Sequence, residues 1–224
     1  MNRWMIGLLA LWPGLALGQV GFFDHFEGNA LLPHWNQPPA SRWEYNVSNS
    51  MLNVTSLPWP SNPHTSVNSA LLRAEFPAVE GDFRAVVRMG WDPGVLRGLN
   101  VSLGGDGGHL LAAFAYNEWS GPVIYARTGS TPNIPFPAPG PGMHDFVMVR
   151  SGAEIRFFLD GNLLTTLPDR TGEAAVAVGL FFTVAYPNPG FEPLRVDLIQ
   201  IVPTPATVLQ IAISALGLSK RRRR

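Results

Sequence analysis

The chain has 224 residues, with 16 basic and 16 acidic side chains, 23 glycines, 21 prolines and no cysteine. The missing cysteine excludes disulfides, thiolate metal sites, iron–sulfur clusters and a cysteine nucleophile. Setting aside Arg3 and the run Lys220 to Arg224 leaves ten bases against 16 acids, and so acidic a body lacks the positive field that draws proteins to nucleic acid.

Arg3 precedes an apolar stretch, Trp4 to Leu17, which closes on Ala16-Leu17-Gly18, small residues of the kind a signal peptidase reads. Residues 1–18 are therefore expected to form the helix of an export peptide, and Pro13-Gly14 argues against a buried core helix. Residues 19–202 then suffice for one domain that hides roughly 70% of its unfolded surface.

Along this body the apolar period is two. Strands are expected at Trp43–Val47, Met51–Leu57 and Ala70–Phe76. In Phe83-Arg84-Ala85-Val86-Val87-Arg88-Met89 the odd-numbered residues share one face and both arginines take the other. Leu99, Val101 and Leu103 alternate with Asn100 and Ser102 in the same way, and His109–Tyr116 and Val123–Arg127 follow. Thr131–Pro141, rich in proline, reads as an extended surface loop. Phe146–Arg150 precedes a hairpin in which Glu154–Leu159 and Leu163–Leu167 flank Asp160-Gly161-Asn162, residues that tolerate the positive φ of a tight turn. Ala174–Phe182 and the alternating Leu194, Val196 and Leu198 complete the set. With no helix of ordinary length between the strands, parallel α/β architectures are out and the fold class is all-β.

These segments resemble, in order, the concanavalin A-like jelly roll of laminin G domains, legume lectins and β-glucanases. Phe22-Phe23-Asp24-His25-Phe26-Glu27-Gly28 with Leu32-Pro33-His34-Trp35 is similar to that family's opening strand, and Trp43-Glu44-Tyr45 to Leu52-Asn53-Val54 to its next pair. Gly81-Asp82-Phe83 resembles the start of a core strand, and His144-Asp145-Phe146 through Leu159-Asp160-Gly161 a late hairpin. The resemblance implies a two-sheet antiparallel sandwich in which Ile199–Ile201 closes beside the first strand.

After the body comes Val202-Pro203-Thr204-Pro205-Ala206-Thr207, then an uncharged apolar segment, residues 206–219, then Lys220-Arg221-Arg222-Arg223-Arg224. A basic cluster behind an apolar helix holds that end in the cytoplasm. Fourteen residues at 1.5 Å rise span about 21 Å against a hydrocarbon core of about 30 Å, a gap that snorkelling and thinning narrow. Residues 203–224 resemble the PEP-CTERM sorting tail of Gram-negative bacteria, with Thr204 in place of the family's glutamate. The resemblance implies export, a transient inner-membrane intermediate, an exosortase-type processing enzyme as partner, and release to a cell surface or biofilm matrix.

No complete catalytic constellation is visible. The family's hydrolases place carboxylates as Glu-x-Asp-x-x-Glu, and the partial match Glu80-Gly81-Asp82-Phe83-Arg84-Ala85 lacks the last. Arg73-Ala74-Glu75 echoes part of a polysaccharide-lyase pattern without its partners. No Gly-x-Ser-x-Gly elbow occurs, and His25, His34, His64, His109 and His144 lack the spacing of a metal pair. Gly104-Gly105-Asp106-Gly107-Gly108 reads as a tight turn with Asp106 as the one candidate calcium ligand, no other cofactor being expected. For sugar recognition the candidates are loop-like aromatics and amides: Trp91 and Asp92; Tyr116, Asn117, Glu118 and Trp119; Tyr186 and Asn188; and Trp59. Trp35 and Trp43 are expected in the core. The expected function is non-catalytic binding of a polysaccharide or matrix component at the cell surface; the alternatives are a purely structural surface protein and, further off, a polysaccharide hydrolase or lyase.

Overall fold

The computed structural model describes residues 21–36, 43–56, 67–91, 96–117, 122–129, 131–185 and 194–204. The proposed export peptide and the tail beyond Thr204, including Pro205, Ala206 and Lys220 to Arg224, lie outside these residues, as do Trp59, Asp92, Glu118, Trp119, Tyr186 and Asn188.

Strict alternation lets each strand bury one face, and two such faces packed together make an antiparallel jelly-roll sandwich, as expected. One sheet runs β13 (Asn162–Pro168), β12 (Glu154–Leu159), β11 (Gly142–Ser151), β6 (Phe83–Trp91), β15 (Leu194–Pro203), β4 (Met51–Ser56) and β3 (Trp43–Ser48). The short β1 (Phe22–Asp24) adds to β15 as an eighth strand. The other runs β10 (Ile134–Pro137), β9 (Val123–Thr128), β8 (Leu110–Asn117), β7 (Leu96–Gly105), β14 (Ala175–Ala185), β5 (Val67–Val79) and β2 (Trp35–Asn36). Phe22 sits opposite Ile201, so the closing strand lies beside the first.

Between the sheets, Phe114 of β8 meets the edges of Phe146 and Phe157 across the gap, with centroids 5.4 and 5.2 Å away. All three rings are buried. The opening loop is tied by Asp24, which is 3% exposed: it accepts hydrogen bonds from the Trp35 indole at 2.7 Å and the Phe26 amide at 2.7 Å, and contacts His34 at 3.1 Å. Asp160 and Gly161 both have positive φ, 50° and 78°, and Leu159 pairs with Asn162, which makes the β12–β13 connection a two-residue turn of the mirror-image type.

One expectation needs correction. The proline-rich stretch is not wholly loop: Ile134–Pro137 forms β10, pairing with β9 from the sheet edge, where a proline's missing donor would otherwise face solvent. At the end of the body Val202 and Pro203 pair with Arg84 and Phe83 inside β15, and the Thr204 amide donates to the Asp82 carbonyl at 2.8 Å.

Candidate functional site

The outward face of the seven-stranded sheet gathers residues that are far apart in sequence. In one row across it, Leu71 of β5 pairs with Phe181 of β14, Phe181 with Asn100 of β7, Asn100 with Ala115 of β8, and Ala115 with Tyr125 of β9. Two residues along, the next outward row is Arg73, Gly179, Ser102, Ala113 and Arg127. Alternation alone puts these side chains on one surface, because their neighbours Leu72, Leu180, Val101, Phe114 and Ala126 all face the core.

The result is a trough. Gly179, Ser102, Ala113 and Ala115 form a low floor, and a Cβ on Gly179 would press to 2.9 Å from the Ser102 hydroxyl. Phe181, 40% exposed, and Leu71, 48% exposed, make one wall. Tyr125, three strands away at about 4.8 Å per strand, makes the other. Two polar atoms here are buried without a hydrogen-bond partner among the described residues: the acceptor Asn100 Oδ1 and the donor Arg127 Nε. Buried polar groups are almost always paired; these two, with the fully buried Ala113 between them, are closed to solvent, so a ligand's hydroxyls would reach them only after the covering side chains turn aside.

Beyond Arg127 the trough opens at the end of the sandwich into a cleft of about 670 Å³, lined also by His109, Thr131, Arg170, Thr171 and Glu173. That volume is within the range of ligand sites, about 300–1,000 Å³. The Glu173 carboxylate contacts the His109 imidazole Nδ1 and accepts from the Gly107 amide at 3.2 Å. Side chains at Gly105 and Gly107 would collide with that carboxylate, which gives the glycine-rich turn a role beyond chain reversal. The loop behind the cleft is fastened to β11: Arg150 forms an ion pair with Asp169 at 2.8 Å and donates to the Glu173 carbonyl at 2.5 Å. Asp169 also accepts from the Thr171 amide and hydroxyl, at 3.0 and 2.7 Å.

A second depression, about 310 Å³, lies on the eight-stranded sheet. There Arg88 is paired with Asp145 at 2.8 Å and Asp197 at 3.6 Å, and the hydrogen bond and charge of Asp145 raise the pKa of its guanidinium further. Asp160, also in its lining, contacts His144.

Two expected ligand residues are placed differently. Trp91 and Tyr116 are not in loops: they end inward rows of β6 and β8, are 5% and 8% exposed, and lie with centroids 5.6 Å apart. Trp91 has the parity of the buried Phe83, Ala85, Val87 and Met89, and Tyr116 that of Ala112 and Phe114. The turn residues that follow them do not override that periodicity. Asn117 ends β8. Trp35 and Trp43 are in the core, as expected. Asp106 is exposed in the β7–β8 turn, where its amide donates to the Ala174 carbonyl at 3.1 Å, and no group of three or more His, Asp or Glu suited to a metal occurs among the described residues.

In the partial hydrolase motif, Asp82 accepts from the Gly152 amide at 2.7 Å, ahead of β6. Arg73 and Glu75 form an exposed ion pair at 3.3 Å. Glu75 is the single carboxylate among the described outward residues of the seven-stranded sheet.

No protein-family model and no curated protein matches the sequence. Solved structures do match. The CBM2 module of the evolved Dit protein of Lactobacillus casei BL23 phage J-1 superposes with a TM-score of 0.59 at 12% identity, over 82% of this chain and 96% of that one. The carbohydrate recognition domain of Emp47p gives 0.56 at 8% identity, over 81% and 94%. A GlcNAcα1-4Gal-releasing endo-β-galactosidase from Clostridium perfringens gives 0.53 at 12%, over 86% and 64%. A sialidase also matches, and the chain spans 19% of its length. At such identities the likeness is one of fold.

Proposed function

We propose that the protein is a non-catalytic glycan-binding module, exported and held at a bacterial surface or in its matrix, and that the trough on the seven-stranded sheet is the binding surface. The observation that carries this reading is the row of exposed Leu71 and Phe181 facing Tyr125 across a floor of small residues, with the unpaired acceptor of Asn100 and donor of Arg127 beneath it. Aromatic and apolar walls take the hydrophobic faces of sugar rings. Carbohydrate-binding neighbours on the same sandwich support it.

The non-catalytic part rests on the carboxylates. Glycoside hydrolysis by the common routes needs two, about 5–10 Å apart across the scissile bond. Among the described outward residues of this sheet Glu75 is the one carboxylate, paired with Arg73, and Glu173 in the adjoining cleft contacts His109. Export rests on sequence: the apolar stretch behind Arg3, and the apolar segment ahead of Lys220 to Arg224.

Affinity electrophoresis through gels containing a panel of polysaccharides tests the reading. Retardation by at least one polysaccharide, weakened by Asn100→Ala and Phe181→Ala, is the expected result. Free migration through all of them would leave a purely structural surface protein, and release of reducing or unsaturated sugar ends would make it an enzyme. Fractionation of the host should find the mature chain outside the cytoplasm and without residues 1–18.

A further inference from the structure

The end cleft gathers two arginines in an otherwise acidic body, with ten bases against 16 acids outside the two terminal segments. Arg73 is paired with Glu75, Arg88 with Asp145 and Asp197, and Arg150 with Asp169. Arg127 and Arg170 line one cleft, and no ion pair joins either to a carboxylate among the described residues. The cleft's own acid, Glu173, contacts His109 and accepts from the Gly107 amide.

Two guanidinium groups facing one cavity repel each other, which favours an anion between them. A guanidinium matches a carboxylate with two parallel hydrogen bonds, and a partly enclosed site strengthens that pairing. Thr131 and Thr171 line the cleft beside the two cations, their hydroxyls engaged by Thr128, by Asp169 and by the Glu173 amide. The loop is already ordered: Arg170 stands between Asp169, fixed by Arg150, and Thr171, fixed by Asp169, so little entropy is lost in presenting it.

We infer that this cleft binds the carboxylate of a uronic-acid sugar, so that the ligand of the proposed module is an acidic polysaccharide lying in the trough with an acidic residue at Arg127 and Arg170. This rests on the glycan-binding reading above and specifies the ligand's class.

Isothermal titration with oligogalacturonate and with the same oligosaccharide after reduction of its carboxyl groups separates the two ideas. The acidic form should bind at least about tenfold more tightly, with an advantage that shrinks as salt is raised. Arg170→Gln, an exposed change that leaves the core intact, should remove most of that advantage, and Arg127→Gln the remainder. Phe181→Ala should weaken both ligands equally. If the neutral form binds as well as the acidic one, or Arg170→Gln leaves their ratio unchanged, the carboxylate site is wrong while glycan binding stands. If neither form binds but a neutral polysaccharide retards the protein in gels, the inference falls alone; if no glycan of either kind binds, both readings fall.

Discussion

Arg150 and Asp169 face each other at 2.8 Å with side chains only 7% and 1% exposed, one from β11 and the other from the loop that carries the chain into the opposite sheet. Truncating one partner of such a pair leaves the other charge buried. Arg150→Met is therefore expected to cost about 3–5 kcal/mol. The double change Arg150→Met with Asp169→Leu should recover much of that, since apolar replacements of buried pairs are often neutral. Urea denaturation of the two variants checks both statements.

Asp24 anchors the opening loop through the Trp35 indole. Asp24→Ala strands that N–H in a site where Trp35 is 5% exposed, for an expected loss of about 1–3 kcal/mol. The denaturant midpoint should fall with an unchanged slope. No loss of stability would mean that the Trp35 indole finds another acceptor.

Phe114 is the ring through which the two sheets interlock. Phe114→Ala removes both edge contacts and opens a cavity between layers that are otherwise closed, so about 3–5 kcal/mol is expected. Phe114→Leu, which keeps most of the volume, should cost less than half as much, as read from thermal and chemical unfolding.

Arg88 and Asp145 are about half and one-third exposed, so solvent screens their pair. Asp145→Asn should shift stability by less than about 1 kcal/mol despite the good geometry, and the small difference should vanish in high salt. A loss of several kcal/mol would show that Arg88 is held by more than its carboxylates.

How much of this was legible in the sequence depended on how local the signal was. Phe83 to Met89 announced β6 because every second side chain is apolar, and Asp160-Gly161 announced a turn because few residues accept two successive positive φ values. β10 stayed hidden, since Pro135 and Pro137 read as loop until the edge position is known. Trp91 and Tyr116, offered as loop-like candidates, carry the inward parity of their strands and are buried there. The trough was out of reach: Leu71, Phe181, Asn100, Ala115 and Tyr125 share a row only through strand pairings that the sequence does not state. His109 and Glu173, 64 residues apart, meet for the same reason.

β15 is an interior strand, hydrogen-bonded along one side to β6 and along the other to β4 and β1. Tension applied through Thr204 while the opposite sheet is held would pull this strand lengthwise, loading its ladders in shear so that many bonds must break together. Peeling from an edge would break them one at a time. Were the chain held at that end and on its far face, the strand at the centre of the sheet would act as a tie and set the load the fold can bear.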